Sequence, residues 1–190
     1  MELDLKVEQG TFLAAGPDLL DPNFMHTVVL MCQHGAEGAY GLVVNRRSSY
    51  SARDVLPEHP LFGQLDVPIH VGGPVGLEML QILHRAPERI SGGVPIGEGL
   101  VLGGDLEDAG RWLAEDRPAA ERSVRLVLGF SGWAAGQLEL ELVTGSWLPA
   151  PADPALVFRT DLEAVWRDVV RSLGRDAQGL EDQPPHPRWN

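Results

Sequence analysis

The chain has 190 residues, 44% of them hydrophobic, and carries a formal net charge of −12 at pH 7. Its length and apolar content suit one domain with a sizeable buried core and exclude global disorder. Its fifteen Lys and Arg are scattered, with no run longer than Arg46-Arg47, which argues against direct nucleic-acid binding and against anionic membrane surfaces.

A single cysteine, Cys32, excludes an internal disulfide framework and a multi-cysteine zinc site within one chain. The first residues, Met1 to Lys6, alternate charged and apolar and do not read as a signal peptide. No apolar run approaches the ~20 residues of a membrane helix. A cytoplasmic protein is expected.

In chain order, residues 9–15 predict a short strand. Asp21-Pro22 has the form of a cap and first position of a brief helical turn. Residues 27–34 are β-branched and apolar and predict a strand. Gly35 to Gly38 is a turn, and 39–45 completes an antiparallel hairpin. A short helix is predicted over 51–56 and a strand over 67–71, running into Gly72-Gly73-Pro74-Val75. Another strand covers 79–84. The glycine-rich stretch 92–104 holds a strand around Leu100 to Leu102. A helix with Asp105 as its cap follows, over 105–115. Val124 to Phe130 is a core strand. Residues 137–143 alternate Leu and Glu like a strand, yet a helix is expected there on the resemblance described below. Leu156 to Phe158 predicts a strand, and Asp161 to Leu173 an amphipathic helix stopped by Gly174. Residues 1–174 form one domain on this reading, and 175–190, proline-rich and without a period, form a flexible tail. Short strands, mostly hairpin-connected, with a few helices imply an α+β class.

The densest local signal is Gly129-Phe130-Ser131-Gly132-Trp133-Ala134-Ala135-Gly136-Gln137-Leu138-Glu139. It resembles the GY-x-GW-x-x-GQLE signature of the YqgE/AlgH family. Further strings match in order: Gly10 to Ala14, Asp21 to Phe24, Cys32-Gln33-His34, Gly38 to Arg46, Val71 to Val75, and Trp147-Leu148. The resemblance covers about residues 8–174. It implies a bifurcated, mostly antiparallel β-sheet curled into a pseudo-barrel and flanked by helices, with no assigned reaction. Some members carry the label of transcriptional regulator, which a charge of −12 does not support as direct DNA contact. The chain departs from the pattern at Arg47, where proline is common, and at Ala134-Ala135, where Gly-Pro or Gly-Ala is usual.

Cys32 and His34 lie two apart on a strand and so share a face. They read either as a thiol activated by a neighbouring imidazolium or, more commonly, as a small core group beside a strand-end histidine. Gly129 to Gly132 falls short of a nucleophile elbow because Trp133 takes the last glycine position. Ser131 is then a cap or turn residue. There is no G-x-G-x-x-G, P-loop or HExxH, so no cofactor or metal is expected. Gly72-Gly73 reads as a tight turn or an anion nest. Trp133 is expected to be buried against the strand 124–130 and the hairpin 27–45. If the glycine turns meet, Asn45, Gly72, Gly73, Gly132 and Trp133 would line a shallow polar pocket with an aromatic wall. The other use of these glycines is sharp strand bending. The favoured function is a non-enzymatic binding or regulatory module for an unidentified protein partner or small ligand. An enzyme or redox-responsive protein using Cys32 and His34 is the alternative.

Overall fold

The computed structural model describes residues 6–174. The expected tail at 175–190 lies outside the described residues. The chain begins with β1 (Thr11–Ala15), β2 (Val28–Gly35), β3 (Gly38–Val43), β4 (Arg47–Ser51) and α1 (Ala52–Val55). A 3-10 turn at Phe62–Gln64 leads to β5 (Pro68–Val71), β6 (Val75–His84), β7 (Val94–Gly97) and β8 (Leu100–Leu102). Then come α2 (Leu106–Glu115), α3 (Arg117–Glu121), β9 (Val124–Ala134), α4 (Gln137–Val143), β10 (Trp147–Pro151), α5 (Pro154–Val157) and α6 (Leu162–Ser172).

Strand β9 is long enough to serve two arms of one sheet. Leu126 to Leu128 pair in parallel with β5 and antiparallel with β6, whereas Ser131 to Ala134 pair with β3. One arm continues β3-β2-β1-β10; the other continues β6-β8-β7, with β4 carried on β5. The strand turns from one arm to the other at Gly129, whose φ is +69°. A Cβ there would stand 2.7 Å from the Gly73 carbonyl oxygen, so conformation and space both require glycine. The result is the expected α+β, bifurcated and curled sheet, mostly antiparallel and not closed. Its outer edges, β10 and β7, carry Pro149, Pro151 and Pro95, which cannot donate to a further ladder.

Both faces of the first half of β9 are buried. Val127 faces a core that contains Phe12, Leu30, Leu42, Trp133 and Trp147 and is covered by Val165, Trp166 and Val169 of α6. Leu126 and Leu128 face a second core with Phe62, Ile69 and Ile82, covered by Ala109, Trp112 and Leu113 of α2. A strand buried on two faces reads as an unbroken apolar run, which is why Val124 to Phe130 is legible in the sequence.

Several expectations are corrected. Leu156 to Phe158 is not a strand: Asp153 accepts a hydrogen bond from Ala155 N–H and Pro154 starts a short helix, α5. The neighbouring strand is β10, placed by antiparallel pairing with β1 in spite of its prolines. Strand β6 begins at Val75 rather than Met79, and residues 92–104 hold two strands. β4 and α3 are additional elements. Gly129 to Ala134 is not a loop at a sheet end but the second half of β9. Ser131 is accordingly neither cap nor turn residue. It is fully buried, and its hydroxyl donates to the Gly72 carbonyl at 3.0 Å. Residues 137–143 are helical despite their alternation: Leu138 and Leu142, one turn apart, pack inward while Leu140 and Val143 stay exposed.

Candidate functional site

The glycine turns do meet at the bend of β9. Gly38 and Gly41 pair with Ala134 and Ser131. Gly72 donates its N–H to Leu128 O at 2.8 Å and accepts from Val43 N–H at 2.8 Å. A Cβ on Gly73 would fall 2.2 Å from the Phe130 backbone, so only glycine lets the β5–β6 connection lie on β9.

The expected pocket residues are distributed as follows. Asn45 is buried; its Oδ1 accepts from Val28 N–H at 2.8 Å, and its amide donates to His26 O at 2.9 Å. It ties the start of β2 to the end of β3. Trp133 is 7% exposed and lies in the first core, with its ring edge-to-face on Trp147 at 5.8 Å. Gly132 is exposed beside the Phe130 ring. A cavity of about 130 Å³ opens next to Gly73, walled by Asn23, Arg46, Pro74 and Leu77. Asn45, Gly72, Gly132 and Trp133 do not line it.

The GW-x-x-GQLE string forms a clamp. Trp133 and Trp147 both donate their indole N–H to Glu141 Oε2, at 2.8 and 2.9 Å, and Gln137 donates to Glu141 Oε1 at 2.9 Å. Ala134 N–H donates to Gln137 Oε1 at 3.0 Å. One carboxylate thus satisfies two buried indoles and fastens α4 to β9 and β10. Glu139 reaches the other way, 2.8 Å from His34 Nε2.

Cys32 and His34 are not joined by a hydrogen bond. The β2–β3 register shifts between Met31 and Gln33, so Cys32 is the extra residue of a β-bulge. Its carbonyl is taken by the Gln9 amide at 3.0 Å, the residue is 4% exposed, and its thiol lies 3.6 Å from the Leu30 carbonyl. His34 Nδ1 lies 2.9 Å from the Val7 carbonyl. Burial pushes the Cys32 thiol up to about 12, opposite to the shift that makes a nucleophile. Iodoacetamide is therefore expected to modify native Cys32 at least about a hundredfold more slowly than the denatured chain, because the thiolate is the reacting form. Equal rates, read by intact mass, would restore Cys32 as a reactive group.

Two basic side chains that sequence reasoning did not single out share the interior. His70 on β5 is buried, with Nδ1 unpaired. Burial, then the positive Arg125 and Arg47, lowers its pKa to about 3, so it is neutral. Arg125 on β9 donates to Glu121 O at 2.6 Å and Arg159 O at 3.0 Å and lies over the Phe158 ring. Burial brings it down to about 10, still charged at neutral pH. Among the described residues no group of three or more His, Cys, Asp or Glu could hold a metal ion.

The surface feature missed by sequence reasoning lies on β6. Between the pairs Val75–Phe130 and Leu80–Leu128, residues Gly76 to Met79 stand opposite Gly129 alone. This wide bulge turns apolar side chains outward: Val75 is 44% exposed, Leu77 53% and Met79 48%. Behind it Phe130 packs on Tyr40 with ring centroids 5.0 Å apart. Tyr40 Oη donates to Gln81, whose amide donates to Gly129 O at 3.1 Å. The bulge is thus held on a fixed support. The available signal was the alternation Val75-x-Leu77-x-Met79 directly after a Gly-Gly-Pro turn.

These features define a class: an α+β domain in which one glycine-bent strand joins two arms of a curled sheet, with an apolar bulge beside the bend. A sequence model of the AlgH-like family matches residues 12–178, and the chain belongs to the YqgE/AlgH family. It is 41% identical over 181 residues to a UPF0301 protein of Anaeromyxobacter dehalogenans, covering 89% of each chain. A UPF0301 protein of Chlorobium luteolum is 37% identical over 185 residues, covering 97% of this chain and 96% of the relative. The solution structure of the AlgH protein from Pseudomonas aeruginosa is similar with a TM-score of 0.69 at 33% identity, over 94% of this chain and 95% of that one. A crystal structure of a Corynebacterium diphtheriae protein shares the fold, with a TM-score of 0.68 at 23% identity over 94% and 93% of the two chains. No helix among the described residues is long and apolar enough to cross a membrane.

Proposed function

We propose that the chain is a non-enzymatic binding module that works by protein contact at the β6 bulge. The observation that carries this reading is the outward exposure of Val75, Leu77 and Met79 on a rigid support. Such a cluster costs solvation unless something covers it, and clustered exposed apolar groups mark contact sites. The site residues point the same way. Trp133, Asn45 and the glycines are engaged in holding the sheet bend, and the one thiol is buried and protonated.

A photo-crosslinking residue placed at Leu77 in the cell tests the reading, with the same residue at exposed Glu115 on α2 as control. A discrete adduct at position 77, absent at position 115 and lost on adding Met79→Ser, is expected. Identical adduct patterns at the two positions would remove the bulge as a contact surface.

A further inference from the structure

The apolar bulge has an acidic centre. Glu78 stands between Leu77 and Met79, is exposed, and makes no ion pair among the described residues. The nearby cation, Arg46, is turned back onto the chain and donates to the carbonyls of Pro22, Asn23 and Met25. Burial lowers its pKa, with Asp21 opposing that shift. The exposed charge on the bulge strand itself, Glu78, is negative, on a chain whose net charge is −12.

Charge decides which occupant the surface favours. A second copy would bring another −12 against the first and set Glu78 facing an acidic chain, and like-charge juxtaposition works against association. A basic partner gains twice. The field of the whole chain steers it inward, and a Lys or Arg can meet Glu78 while apolar neighbours cover Leu77 and Met79. Apolar anchors then supply most of the affinity, and the central ion pair sets the choice of partner.

We propose, resting on the binding-module reading above, that the β6 bulge docks a segment of a partner protein that is both basic and apolar. Its leucine-like side chains lie on Val75, Leu77 and Met79, and its cation lies on Glu78. The cavity beside Leu77, walled by Pro74, Gly73 and Arg46, gives a neighbouring apolar side chain room at the edge of the contact.

The probe is a fluorescein-labelled peptide alternating leucine and lysine, with a leucine–glutamate peptide of equal length as counter-probe. Binding is read by anisotropy at a salt concentration of about 150 mM, where surface charges act only over about 8 Å. The leucine–lysine peptide is expected to bind and the leucine–glutamate peptide not to. Leu77→Ser with Met79→Ser should weaken binding about tenfold or more, the loss of an apolar anchor. Glu78→Lys should weaken it about fivefold more than the charge-matched control Glu115→Lys. All four positions are exposed, so the fold is not at stake. Equal losses for Glu78→Lys and Glu115→Lys would mean general attraction to an acidic chain and would overturn the proposal. A preference for the acidic peptide would do the same. So would a dimer in sedimentation that Leu77→Ser with Met79→Ser dissolves, since the occupant would then be a second copy. Crosslinks from Leu77 without leucine–lysine binding would reject the basic partner while leaving the binding-module reading in place.

Discussion

Replacing Trp133 by alanine is expected to remove about 3–5 kcal/mol of folding stability, the range for deleting a buried aromatic side chain. The indole fills the first core against Trp147 and is 7% exposed, so its loss leaves a void that β3 and β9, paired through Ala39, cannot close by sliding. The substitution also takes one of the donors from Glu141, which keeps Trp147 and Gln137. Trp133→Phe separates the two effects: it retains most of the apolar volume, loses the N–H, and should cost about 1–2 kcal/mol. Urea unfolding followed by circular dichroism measures both. A loss below about 1 kcal/mol for Trp133→Ala, the size of an ordinary surface change, would show that the indole is not a core element.

Stability is also expected to fall as the pH drops from neutral, before the carboxylates titrate. The His70 value of about 3 in the folded chain lies below its ordinary 6.5. The unfolded chain therefore takes up the proton first. The favourable contribution of neutral His70 is complete above pH 6.5 and is lost progressively as pH falls toward 3. One such group gives a slope of about 1.4 kcal/mol per pH unit inside that window. His84, fully buried and also lowered, chiefly by burial, acts in the same direction. The carboxyl of Asp108, held to about 2 by Ser91 and then Arg111, adds its own loss only below its ordinary 3.8. Between pH 6.5 and 5 the two histidines thus act before that carboxylate does. Urea midpoints across that interval should fall for the native chain, less steeply for His70→Gln, and least for His70→Gln with His84→Gln. An unchanged slope in His70→Gln would mean that His70 is not held neutral in the interior.

How much of this architecture is legible in the order of residues depends on how local its cause is. The hairpin β2–β3 follows from a β-branched run, a turn and a second apolar run. Helix α6 follows from a 3.6-residue period with Asp161 at its start and a positive-φ Gly174 after its end. α5 carried the same kind of local signal in Asp153-Pro154, but the apolar run Leu156 to Phe158 masked it. β10 had no such signal, because two prolines make a poor strand unless an edge beside β1 needs only the other backbone groups.

The candidate site divides along the same line. The family membership, the buried Trp133 and the importance of the glycine turns were open to sequence reading, because each rests on residue types at short spacing. Long-range pairing decided the rest. Whether Gly129 bends a strand or ends one depends on Gly73 lying against it from a segment far away in sequence. Whether Cys32 reacts depends on a bulge set by the register with β3. Glu141 accepts from Trp133 and Trp147 only because α4 folds back across β9 and β10. The apolar bulge of β6 exists because Gly76 to Met79 have a single residue opposite them in β9. Propensity and period act over one turn of helix or a few residues of strand. Register, burial and charge environment are properties of contacts between distant segments, and they are fixed when the two arms of the sheet close around their cores.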